Sequence, residues 1–180
     1  YQETGKEEWL DIDNSLVATQ EGYTAKASSQ KFVLPKDLKG QGVSLDDKDY
    51  PVSWKYEGID RTEISIAEKE DITTGLERKA AKAKTAAERA ELVNKKFTSL
   101  KNIDSEVTYA EAYPDVDFEY IMLPTGLKEN IILRSKAAQN EFIITYNIGK
   151  LSSEQKDERT ILLLNQKGET VYTLSAPYMV

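Results

Sequence analysis

The sequence contains no cysteine and no histidine. The first absence excludes disulfide scaffolds, thiolate nucleophiles and thiol redox chemistry. The second excludes Ser–His and Cys–His catalysis. Together they exclude zinc sites of the usual kind and a haem held by His or Cys. Glycine is scarce, at 9 of 180 residues, and none lies in a GxGxxG or GxxxxGK phosphate loop. No apolar run approaches the ~18 residues of a membrane helix, so no membrane span is expected. Basic charge is in deficit too. The 24 Lys and Arg against 31 Asp and Glu give a net charge of −7, the opposite balance to that of a nucleic-acid binder. No nucleic-acid partner and no cofactor are expected. Carboxylates, Lys, Tyr, Ser and Thr remain for any chemistry.

What is present suits a globular fold. The chain is 39% hydrophobic and 31% charged. A chain of this size buries about 70% of its unfolded surface and needs no staple to fold. One domain over 1–180 is expected. It opens at Tyr1-Gln2 and stops at Tyr178-Met179-Val180 within strand-like sequence, which reads as a piece of a longer polypeptide.

Short alternating segments dominate. Asp13-Asn14 reads as a turn between Ile12 and Leu16-Val17. Lys31-Phe32-Val33-Leu34 runs to Pro35, and Asp46 to Asp49 form a polar turn. Val52-Ser53-Trp54-Lys55-Tyr56 and Thr62 to Ile66 alternate with period two. The pattern returns at Glu106 to Tyr109, Val116 to Leu123, Leu127 to Arg134 and Phe142 to Ile148. Ser152 to Glu158 reads as a polar loop. Thr160 to Leu164 and Thr170 to Leu174 then flank a hairpin turn at Gln166-Lys167-Gly168-Glu169. About ten or more short strands joined by turns predict a mainly β chain, an antiparallel β-sandwich.

Residues 74–97 break the pattern. Thr74 and Glu77 fit a capping box, and Leu76, Ala80, Ala83, Ala87, Ala90, Val93 and Phe97 form a helical stripe. One α-helix inserted between two sheet-forming blocks is expected. From 77 to 96 it carries seven basic and three acidic residues, a solvated face that would lie over acidic parts of the sandwich.

Two constellations are candidates for function. Asp115, Asp117 and Glu119 share one strand face. Such a set would hold a hard cation, or place two carboxylates for glycoside hydrolysis; it equally forms the wet face of a strand whose dry face is Val116, Phe118 and Tyr120. Trp9, Trp54 and Tyr56 are the candidate ligand-binding aromatics, platforms on which a sugar would stack. Trp54 and Tyr56 lie with Val52 on a face that would serve equally as core.

Glu8-Trp9-Leu10-Asp11-Ile12-Asp13-Asn14-Ser15-Leu16 resembles a W-x-D-I-D-N-x-L segment near the start of large secreted bacterial proteins of the Rhs-repeat, wall-associated and polymorphic-toxin type. Tyr113-Pro114-Asp115-Val116-Asp117-Phe118-Glu119-Tyr120, continuing through Pro124-Thr125-Gly126 to Leu133, and then Ala176-Pro177-Tyr178-Met179, are similar to later segments of the same region. The resemblance implies a non-catalytic structural or adhesive module, secreted or cell-wall associated, in a Gram-positive setting. It would precede repeat and effector regions. Its partners would be downstream domains of the same polypeptide, with a cell-wall or host glycan as the alternative. It brings no catalytic residue.

Overall fold

The computed structural model describes residues 11–59, 62–66, 82, 85, 87–90, 105–136 and 138–178. Thirteen strands are described, all paired antiparallel in three sheets. β1 (Asp13–Ala18), β2 (Gly22–Ala27), β3 (Phe32–Pro35), β4 (Val43–Leu45) and β5 (Val52–Tyr56) follow one another as a meander. β6 (Glu63–Ile66), β7 (Ser105–Tyr113), β8 (Val116–Leu123) and β9 (Gly126–Leu133) form a second, four-stranded meander. β10 (Ile144–Asn147) then returns to the first sheet, pairing with β5 through Ile144–Tyr56 and Tyr146–Trp54 to make it six-stranded. β11 (Ser152–Gln155), β12 (Ile161–Leu164) and β13 (Thr170–Leu174) form a small third sheet.

The alternation that predicts these strands also builds the core. In β8, Val116, Phe118, Tyr120 and Met122 are buried while Asp117 and Glu119 are not. They face Phe32, Leu34, Val43, Leu45 and Tyr56 from the six-stranded sheet, in one continuous apolar cluster. This is a β-sandwich, as the patterning predicts. Aromatic rings fill its centre: Tyr56 lies 4.3 Å from Phe118, and Tyr109 meets Tyr120 edge-on at 5.8 Å.

Buried polar groups need partners, and here several join the two sheets. Tyr109 Oη donates to the Pro35 carbonyl at 2.5 Å, and Tyr113 Oη donates to the Glu57 carbonyl. Asn14 Nδ2 donates to the Met122 carbonyl at 3.2 Å. Asp13-Asn14 is therefore not a turn. It lies in β1, where the register shifts between Asp13 and Leu16. Asp13 Oδ1 caps this irregularity by accepting from the Ser15 backbone N–H at 3.0 Å. The Asx geometry behind the turn expectation is present, but it serves a bulge that aims Asn14 inward.

Ser152 to Gln155, expected as loop, is strand β11. It pairs with β12 from Ser152–Leu164 to Gln155–Ile161. An exposed polar edge strand has no apolar alternation to betray it. The hairpin after β12 is as expected: Gly168, at φ +78°, adopts the left-handed conformation closing the loop between Asn165 and Glu169. Leu163 packs this sheet against Val52 and Leu151 in a separate small cluster.

Most of the stretch expected as one helix, 74–97, lies outside the described residues. Within it, Lys82 sits in a turn and 87–90 are helical. Thr85 Oγ1 accepts from the Glu88 N–H at 3.1 Å, and Glu88 Oε2 accepts from the Thr85 N–H at 3.2 Å. This reciprocal pair is a capping box, placed just before the helical residues 87–90.

Candidate functional site

The carboxylate face of β8 resolves into separate partnerships. Asp117 Oδ1 accepts from the Glu111 backbone N–H at 2.8 Å, and its Oδ2 lies 3.4 Å from Arg134 Nε. Arg134 also pairs with Glu111. Asp115, in the two-residue turn between β7 and β8, accepts from Ser135 Oγ at 2.8 Å. Glu119 accepts from Asn130 Nδ2 on β9. Among the described residues no three carboxylates gather closely enough to hold a metal ion. Asp115, Asp117 and Glu119 each make a separate contact, at a turn, at a bulge and across a strand pair. The physical reason is Arg134 and Asn130, which the pairing of β8 with β9 brings alongside. Burial still pushes the Asp117 carboxyl above its ordinary range. Burial, then the Glu119 charge and a hydrogen bond with it, do the same to Glu106 on β7.

The aromatic candidates separate. Trp9 lies outside the described residues. Tyr56 is 5% exposed, a core residue and no platform. Trp54 is half-buried between Phe32, edge-on at 6.5 Å, and Tyr146, stacked at 6.1 Å. Its Nε1 donates to Glu129 Oε2 at 3.3 Å, and Tyr56 Oη donates to Glu129 Oε1. Burial and then Glu129 push the Tyr146 hydroxyl up to about 12. Glu129 is the residue that sequence reasoning missed. It stands in an inward position of β9, between Leu127 and Ile131, where alternation predicts an apolar side chain. A carboxylate out of phase with its strand was the available signal.

A second feature lies on the opposite face of the same strands. Because alternate residues of paired strands share a face, Ser53 and Lys55 of β5 stand beside Thr145 and Asn147 of β10. With Gln41 and Gly42 they border an open depression of about 480 Å³. The Trp54 side chain points to the other face, so its backbone contributes the floor. Gly42 is required there: a Cβ would come within 2.2 Å of the Trp54 carbonyl oxygen. The sequence places Ser53 and Lys55 on one face, but the β5–β10 pairing spans some ninety residues and is not legible from it.

Among the described residues no helix is long and apolar enough to cross a membrane. No family model matches the chain, and no solved structure does. Part of the chain is similar to a wall-associated protein of Geobacillus stearothermophilus, with 29% identity over 86 residues. The match takes in 44% of this chain and 31% of that protein, so the chain corresponds to about a third of its relative's length.

Proposed function

We propose that this chain is a non-catalytic structural or adhesive module of a large secreted bacterial cell-surface protein, standing before repeat and effector regions of the same polypeptide. The observation that carries this reading is the partial similarity to a wall-associated protein, taken with a two-layer sandwich tied across its core by side-chain hydrogen bonds. Rigidity of this kind suits a part that spaces or presents its neighbours. The carboxylates that would serve a glycosidase are engaged with Arg134, Ser135 and Asn130, which favours the non-catalytic reading. The purified chain is expected to co-sediment with isolated Gram-positive cell walls and to leave chromogenic glycosides intact at high protein concentration. Hydrolysis of the glycosides would overturn the non-catalytic part. Failure to sediment with walls would overturn the adhesive part and leave a spacer.

A carbohydrate-binding role is the second reading. The Trp54–Tyr56 platform gives it little support, since Tyr56 is core and Trp54 is held by Glu129. The depression beside Lys55 and Asn147 supports it better.

A further inference from the structure

We propose that the outer face of β4, β5 and β10 binds a neutral, hydroxyl-rich glycan segment in the depression between Gln41, Lys55 and Asn147. The inference deepens the adhesive reading and rests on it.

Three observations carry it. The first is shape. The hollow is about 480 Å³, within the range of small-molecule sites. Gly42 leaves bare backbone at its edge, where any side chain would strike the Trp54 carbonyl. Longer side chains, Gln41 and Lys55, stand exposed at its border.

The second is chemistry. Side-chain amides, hydroxyls and an ammonium converge from separate strands. Among the described residues the side chains of Gln41, Ser53 and Lys55 make no hydrogen bond or ion pair, so their donors and acceptors are free for a ligand. Amides offer a donor and an acceptor together, which matches the paired hydroxyls and acetamido groups of a sugar.

The third is charge. Among the described residues Lys55 is the one cation bordering the hollow. Glu57 follows the end of β5, its Oε1 accepting from Thr145 Oγ1 at 2.9 Å. Their formal charges are opposite, and the chain carries −7 overall. A field of that sign repels a polyanion and leaves an uncharged glycan unaffected.

The test is titration of the chain with neutral β-1,4-linked N-acetylglucosamine oligomers, followed by NMR and calorimetry. Poly(glycerol phosphate) serves as the polyanionic comparison. Amide shifts are expected at 41–42, 53–55 and 145–147. The double variant Gln41→Ala/Lys55→Ala should bind about tenfold more weakly, the loss of one or two hydrogen bonds, with unchanged thermal unfolding. Lys136→Ala, on an exposed residue that does not line the hollow, should bind as the wild type does. Equal affinity in the double variant, shifts confined to other strands, or preference for the polyanion would overturn the site. Binding to whole cell walls that survives in the double variant would overturn the site alone. No wall binding by the wild type would overturn the adhesive reading beneath it.

Discussion

Trp54 Nε1 donates a hydrogen bond to Glu129 Oε2 at 3.3 Å, across the interior between the two sheets. The same carboxylate takes the Tyr56 hydroxyl on its other oxygen. One side chain of β9 thereby fixes the position of β5, and with it the outer face on which Ser53 and Lys55 stand.

Replacing Glu129 should therefore loosen the sandwich. Glu129→Ala leaves the Tyr56 hydroxyl and the Trp54 indole N–H without their acceptor, at a cost of about 3 kcal/mol. Glu129→Gln keeps an acceptor and should cost about 1 kcal/mol. Urea unfolding followed by tryptophan fluorescence measures both. Equal losses would mean that a single acceptor of the same shape does not replace the two carboxylate oxygens.

Asn14 offers a sharper contrast of charge. Asn14→Asp would set an anion against the Met122 carbonyl that now accepts from Asn14 Nδ2. Asn14→Ala only removes the donor, costing about 1–2 kcal/mol. The Asp variant should be the less stable at pH 7 and should recover as its carboxyl protonates in acid. Thermal melts of both variants at pH 4 and pH 7 check this.

Glu106 sets a pH dependence. Its carboxyl is held above the ordinary range by burial and by Glu119. A raised folded-state value adds stability below the unfolded value, about 4.3 for Glu, and that stability is lost as pH rises through the raised value. Asp117 acts in the same direction through its own burial. Glu106→Gln should thus match the wild type near pH 3.5 and exceed it at pH 7. Urea midpoints at the two pH values decide, and a wild type more stable than the variant at pH 7 would contradict the shift.

Asp115 holds φ +60° in the turn after Pro114, a conformation that β-branched residues resist. Asp115→Val should cost about 2 kcal/mol, combining backbone strain with loss of the Ser135 contact. Asp115→Asn should cost under about 1 kcal/mol, since Asn tolerates this region and keeps an acceptor. Calorimetric unfolding of the pair separates strain from contact.

Much of the fold was legible in the residues themselves. The period-two alternation of β5 and β8, and the turn chemistry at Gly168, follow from local preferences that need no distant partner. β11 was not legible, because exposed polar residues form a strand only when β12 offers a ladder. Asn14 misled for a related reason: an Asx motif reads as a turn until the opposite sheet supplies the Met122 carbonyl.

The sequence by itself determined a mainly β chain without thiol or imidazole chemistry, and, in strands such as β8, which residues face the core. The tertiary structure decided which faces meet. Pairing β10 with β5 created the depression at Lys55 and Asn147, and pairing β8 with β9 gave Asp117 and Glu119 their partners. Alternation is a property of each strand alone, whereas register between strands ninety residues apart depends on closing a long loop and burying a shared core. Only the folded chain supplies that free energy.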